Sequence, residues 1–190
     1  MEELSEVSRA EERQLDLRPA PLAPGALIEA AILAARPSFA EKGVRLEPRV
    51  DADLPQVHVD PDRMGEVLAN LLANALRHTP PRGRVEVGAR RRGEEVEIAV
   101  ADTGEGIAPE HLERVFERFF RTDRARSRAT GGSGIGLTIA RAVVEALGGR
   151  IHAESDGPDQ GARCVIRLPT FPRVPRAPHA PPSVEEPGRG

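Results

Sequence analysis

Four polar side chains are regularly spaced along the stretch from Asp62 to Pro80: Glu66, Asn70, Asn74 and His78, each four residues from the next. On a helix that spacing makes one polar column. Met64, Val67, Leu68, Leu71, Leu72, Ala75 and Leu76 fill the opposite side, so the predicted helix is amphipathic. Asparagine competes for backbone hydrogen bonds and is a mediocre helix residue, so a pair of them in mid-helix needs a reason. Two reasons suffice: a solvated face, or neutral oxygen ligands for a hard cation or a phosphate. The helix alone does not choose between them.

Asp102 follows a run of alternating apolar residues and precedes Thr103-Gly104-Glu105-Gly106-Ile107. A carboxylate at a strand end can accept a hydrogen bond from an exocyclic amine such as that of adenine, and the glycines let a ligand approach the backbone. A plain Asp-Thr-Gly turn reads the same way. Further on, Thr130-Gly131-Gly132-Ser133-Gly134-Ile135-Gly136-Leu137 runs into a predicted helix, offering unpaired N–H groups and a positive dipole end suited to phosphate. A flexible hinge is the alternative. A Walker loop is excluded because no Gly-Lys-Ser/Thr is present, and the dinucleotide fingerprint is poor because a long loop, not a strand, comes first.

The elements that must position these residues follow from pattern and punctuation. A short edge strand is predicted at Asp16 to Ala20, stopped by Pro19, Pro21 and Pro24. A helix from about Pro24 to Lys42 carries Leu27, Ala30, Ala31, Ala34 and Ala35 as its apolar stripe, with Gly43 as C-terminal cap. Strands Val44 to Val50 and Gln56 to Val59 follow, and Asp60-Pro61 opens the asparagine helix as N-cap and first residue. Arg84 to Arg90 and Glu95 to Ala101 alternate as a hairpin with one buried face. Ala108-Pro109-Glu110 opens a short helix, and Glu117 to Ser133 reads as a mobile loop. A helix from Gly134 to Leu147 presents Ile135, Ile139, Ala142, Val143 and Ala146, and strands Arg150 to Glu154 and Arg163 to Leu168 close the domain. The recurring prolines beyond Pro169 predict a disordered tail.

Order, spacing and setting together are far more specific than any one motif. Asn70-x-x-x-Asn74, DTGEGI, FERFFR at Phe116 to Arg121 and GGSGIGL resemble the N, first glycine, F and second glycine boxes of sensor histidine kinases, over Leu15 to Pro169. The resemblance implies an α+β fold, the two-layer α/β sandwich of the GHKL (Bergerat) type. In that fold a mixed, mostly antiparallel sheet packs on helices, with ATP between the layers under a mobile lid. Residues 1–14 would be a remnant of the dimerisation helix or a linker, 15–169 the catalytic domain and 170–190 the tail.

By the same resemblance, Asp102 would hold the adenine amine, Asn74 would ligate the Mg²⁺ that bridges the phosphates of ATP, and Asn70 would support its water shell. Arg77 would approach the phosphates, and His78 would flank the nucleotide where the family often has tyrosine. Gly104, Gly106, Ile107 and Phe116 would border the nucleotide. Gly132, Gly134 and Gly136 would line the triphosphate, with Ile135 and Leu137 beside them, and Arg118 or Arg121 would neutralise the γ-phosphate or stand as solvated lid charges. Gyrase-like, MutL-like and anti-sigma relatives place a glutamate four residues before the metal asparagine, whereas here that position is Asn70, which cannot take a proton. The implied pocket therefore positions ATP for an external nucleophile and hydrolyses it slowly.

Two features depart from the family pattern. None of His58, His78, His111, His152 or His179 lies in a phosphoacceptor context, although LSEVSRAEERQLDLRP resembles the last turns of the dimerisation hairpin. The implied partners are thus a phosphoacceptor-histidine domain outside this chain and, through it, a response regulator. Gly161 is followed by Ala162 where the family usually has serine or threonine, which implies adenine binding weaker by about 1 kcal/mol. Two rival functions are a nucleotide-binding interaction module without turnover and an anti-sigma-type serine kinase.

Composition sets the outer limits. The chain has 190 residues, 39% of them hydrophobic, enough for one domain with a core and tails. A net charge of -3 gives no reason to expect nucleic acid, and Lys42 is the one lysine among abundant arginines. The single cysteine, Cys164, rules out an internal disulfide framework and suits a reducing compartment. The expected location is cytoplasmic: no secretory signal is visible, and the most apolar run, Ala26 to Ala35, is too short to span a bilayer.

Overall fold

A computed structural model describes residues 16–120 and 134–171. The expected dimerisation-helix remnant, the segment 121–133 and all but the first two residues of the predicted tail lie outside the described residues. In chain order the elements are β1 (Ala20–Leu22), α1 (Pro24–Lys42), β2 (Arg45–Val50), β3 (Val57–Val59), α2 (Pro61–His78), β4 (Arg84–Arg92) and β5 (Glu95–Asp102). After two 3-10 turns, Pro109–His111 and Arg114–Phe116, come α3 (Gly136–Ala146), β6 (Arg150–Glu154) and β7 (Ala162–Pro169).

Five strands form one sheet in the order β2-β4-β5-β7-β6, with β2 parallel to β4 and the other pairs antiparallel. The alternation seen in the sequence decides which face is buried. Val85, Val87, Ala89, Val96, Ile98, Val100, Ile151, Ile166 and Leu168 meet the α2 stripe of Met64, Val67, Leu68, Leu71, Leu72 and Ala75 in one core. The α+β two-layer architecture, with a mixed and mostly antiparallel sheet on helices, is the expected one.

The sheet's other face is laced with charge. Glu97, 1% exposed, is held by Arg163 Nη2 at 2.6 Å and Arg90 Nε at 2.7 Å, with Arg167 at 3.4 Å. Burial opposes ionisation of this carboxyl, but the guanidinium groups of Arg163 and Arg90 outweigh it and hold Glu97 below the usual carboxylate range.

Several expectations shift. The N-terminal strand is Ala20–Leu22, not Asp16 to Ala20, because the Arg18 N–H is taken by Asp60 Oδ2 at 2.8 Å before strand pairing begins. Pro21 then pairs with His58 on an edge, where a missing N–H costs nothing. Helix α1 buries Leu27, Ile28, Ile32 and Phe39 and leaves Ala30 and Ala34 exposed, since the larger side chains remove more apolar area from water. Helix α3 starts at Gly136 and buries Ala140, Val143 and Val144, while Ile139 is exposed and Ala146 faces solvent, because α3 packs against both α2 and β6. The short helix expected after Ala108 is the pair of 3-10 turns.

The domain also extends two residues past the predicted boundary at Pro169. Thr170 bridges Val57, the Phe171 N–H reaches Gln56 O at 2.7 Å, and the Phe171 ring stacks on His58 at 4.9 Å. Among the described residues, no helix is long and apolar enough to cross a membrane.

Candidate functional site

Helix α2 is started by Asp60, whose Oδ1 accepts from Asp62 N at 3.0 Å and Arg63 N at 3.1 Å. Those backbone donors, led by the Arg18 N–H and the Arg63 N–H, hold the buried Asp60 carboxyl below the usual range. The polar column divides along its length. Glu66 is exposed and paired with Arg63 at 3.0 Å, whereas Asn70, Asn74 and His78 are half-buried and Arg77 is exposed.

The half-buried stretch is where α3 begins. A Cβ built on Gly136 would lie 3.0 Å from Asn70 Oδ1, so the second glycine box and the first asparagine are in direct contact. Gly134, with φ of 69°, turns the chain into that helix; its carbonyl accepts the Phe119 N–H at 3.1 Å. Thr138 Oγ1 donates to Phe116 O at 3.0 Å. Phe116 is buried in the core, and Ile135 and Leu137 are half-buried at the helix start. Arg121 and Gly132 lie outside the described residues, and Arg118 is exposed.

At the other end of α2, the strand-end carboxylate and the first glycine box close against the helix. Asp102 Oδ1 accepts the Gly104 N–H at 2.8 Å, and the Glu105 N–H reaches His78 O at 3.2 Å. A side chain on Gly104 would meet His78 O at 2.3 Å, so only glycine fits between loop and helix. His78 Nδ1 also lies 3.4 Å from Glu105 Oε2. Burial raises the Asp102 carboxyl above its usual range in spite of the Gly104 and Ala162 N–H groups and nearby His78. Cys164 is a neighbour: burial and the charge of Asp102 push its thiol up to about 12, leaving it a protonated, inert thiol.

Ala162 pairs with Asp102, and Cys164 with Val100. Residues two apart share a face, so Ala162 stands on the face of Asp102 with its methyl where a hydroxyl would be beside that carboxylate.

Asn70, Gly136, His78, Gly104 and Asp102 are thus brought together along α2: a half-buried carboxylate at one end, amide oxygens and a helix N-terminus toward the middle. The donor set fits a hard cation held with phosphate, since asparagine oxygens are neutral hard ligands and Gly136 leaves the room beside Asn70 that a Cβ would fill. Among the described residues, no cluster of three or more His, Cys, Asp or Glu offers a rival metal site.

The family model described as histidine kinase-, DNA gyrase B-, and HSP90-like ATPase matches residues 59–172, from the end of β3 to one residue past the last described one. This chain belongs to that family. Within it, the sensor-like histidine kinase SenX3 of Mycobacterium tuberculosis is 48% identical over 120 residues, covering 63% of this chain and 29% of SenX3. The signal transduction histidine-protein kinase BaeS of Escherichia coli is 37% identical over 169 residues, covering 89% of this chain and 36% of BaeS. The chain therefore spans about a third of the length of these curated relatives. Full-length ShkA in complex with AMPPNP superposes with a TM-score of 0.72 at 30% identity, over 82% of this chain and 32% of that one. The chain is an ATP-binding domain of the histidine kinase type.

One part of the site escaped the sequence reading. Apart from Gly161, the β6–β7 turn, residues 155–161, carried no site reading, yet it packs under the Asp102 loop. The Gly161 N–H reaches Gly104 O at 3.1 Å and the Asp159 N–H reaches Glu105 O at 2.6 Å. Cβ atoms on Gly106 and Gly161 would lie 2.0 Å from Gly157 O and 2.1 Å from Asp102 O. The four glycines, 104 and 106 in the loop and 157 and 161 in the turn, were the available signal.

Proposed function

We propose that this domain binds ATP with Mg²⁺ and donates the γ-phosphoryl group to a histidine outside the chain, on a dimerisation domain of the same protein or of a partner. A response regulator would then receive the phosphoryl group. Asp102 accepts a hydrogen bond from the adenine amine, and His78 flanks the nucleotide. Asn74, supported by Asn70, is the ligand for Mg²⁺, which when bound neutralises phosphate charge. Arg77 approaches the phosphates, the N-terminus of α3 with Gly134 and Gly136 offers them N–H groups, and Arg121 and Gly132 are assigned the same task from the sequence alone. The acceptor imidazole nitrogen attacks the γ-phosphorus as the bond to the β,γ-bridging oxygen breaks, and ADP leaves with the electron pair. The chain's contribution is positioning and charge complementarity.

The observation that carries this reading is the contact of Asn70 with Gly136. The residue beside the second glycine box is an amide, so no carboxylate there can deprotonate a water, and the site favours transfer to an external nucleophile over hydrolysis. A nucleotide-binding module without turnover is the second reading, favoured by Ala162 beside Asp102.

Calorimetric titration with ATP, with and without Mg²⁺, followed by transfer to a supplied dimerisation hairpin, tests both. Tight binding only with Mg²⁺ and phosphorylation of the hairpin histidine are expected, with transfer abolished in Asn74→Ala. A folded chain that fails to bind ATP ends the proposal, binding without transfer favours the second reading, and full transfer by Asn74→Ala removes the metal role from that residue.

A further inference from the structure

Ser155, at the end of β6, makes more polar contacts than its place in a surface turn requires. Its Oγ accepts the Ile107 N–H at 3.0 Å and the Gly157 N–H at 3.3 Å, and lies 2.6 Å from Gly161 O and 3.2 Å from Gly157 O. A hydroxyl has one proton to donate and two lone pairs, so this one is fully used: it donates to the nearer carbonyl and accepts both N–H groups. The residues it joins are 48 positions apart in sequence for Ile107 and 6 for Gly161. Ile107 ends the glycine loop that begins at Asp102, and Gly161 lies against the Asp102 carbonyl.

We infer that Ser155 is a positioning residue for the base end of the nucleotide site, fastening the Asp102–Ile107 loop to the β6–β7 turn before any ligand arrives. This rests on the reading of Asp102 as the adenine acceptor. The loop has glycines at 104 and 106, with Gly106 at φ of 66°, so its backbone is intrinsically free. Asp102 Oδ1 holds the Gly104 N–H from within, backbone bonds from Asp159 and Gly161 hold the carbonyls of Glu105 and Gly104, and the Ser155 hydroxyl holds the last residue. A loop already in its bound conformation spares the ordering cost that binding otherwise carries. Ser155 touches Asp102 at no point in this network; it acts through Ile107 and Gly161.

The role separates from general stability in three ways. Ser155→Ala is expected to weaken ATP binding about three- to tenfold, the scale of one lost hydrogen bond, raising KM for ATP while leaving transfer at saturating ATP unchanged. Amide exchange at Ile107 is expected to accelerate in that variant without nucleotide, while amides in α2 keep their wild-type rates. Ser155→Thr, which keeps the hydroxyl, is expected to restore both. Wild-type chain that binds ATP alongside a folded Ser155→Ala variant of equal affinity overturns this inference and leaves the ATP reading standing. Wild-type chain that fails to bind ATP overturns both. Should Ser155→Ala not fold, fast exchange of the Ile107 amide in ligand-free wild type overturns the inference on its own.

Discussion

Replacing Asp102 with alanine tests the base end of the site most directly. Asp102 Oδ1 is engaged by the Gly104 N–H at 2.8 Å, so the carboxylate is already oriented and needs no rearrangement to accept an amine proton. A hydrogen bond to a charged group is worth about 1.5–3 kcal/mol, and its loss corresponds to about a 10- to 150-fold rise in Kd for ATP. Alanine also strips the buried Gly104 N–H of its partner, so Asp102→Asn is the needed companion. Its amide oxygen can keep the Gly104 N–H, but its NH₂ then confronts the adenine amine, donor against donor. Both variants are expected to lose affinity, and Asn to do so with less disturbance of the loop.

Titration adds a second, independent arm. Burial raises the Asp102 carboxyl above its usual range, and only the ionised form presents acceptors at both oxygens. Affinity for adenosine, which lacks phosphates, should therefore fall as pH drops through that raised value, earlier than for an ordinary aspartate, and Asp102→Asn should flatten the profile. The same shift acts on folding in the opposite sense. The unfolded chain releases this proton more readily, so the contribution of Asp102 to stability falls as pH rises through the ordinary to the raised value. Calorimetry over a pH series measures the binding side. Unchanged ATP affinity in folded Asp102→Ala, or a flat adenosine profile in the wild type, refutes the assignment.

Two further predictions concern the frame around the site. Gly104→Ala places a methyl 2.3 Å from a backbone carbonyl that cannot rotate away, so a loss of about 1–3 kcal/mol in urea unfolding is expected, and wild-type stability would show that the loop does not press on α2. Asp60→Ala removes the cap of α2 together with the acceptor for Arg18, and about 1–2 kcal/mol of stability should go with it. Because the folded-state pKa of Asp60 is lowered, its contribution is present above the ordinary aspartate value and is lost as pH falls through the folded value. Acid unfolding curves of wild type and variant should therefore converge at low pH, and parallel curves would count against the cap.

Much of the fold was legible because the sequence patterns report burial directly. Period-two alternation marked β4 and β5, and Asp60-Pro61 marked the start of α2, since strand faces and helix caps depend on neighbours a few residues away. The apolar faces of α1 and α3 were only partly legible, for the converse reason. Several stripes fit each helix, and contact with α2 and the sheet adds Ile28, Ile32 and Phe39 to the expected Leu27 in one, and Ala140 and Val144 to the expected Val143 in the other. Local composition cannot rank those stripes.

The site divides along the same line. Residue type and spacing alone supplied an amide pair on one helix face, an aspartate at a strand end and glycines at a helix start, because each is chemistry carried by a short stretch of chain; the missing carboxylate base followed from the family resemblance. Only tertiary packing decided that Gly136 abuts Asn70, that Gly104 is wedged against His78, and that Ser155 reaches across 48 positions to hold Ile107. Contacts between segments distant in sequence depend on strand register and helix placement, which the whole core fixes together and no single motif encodes.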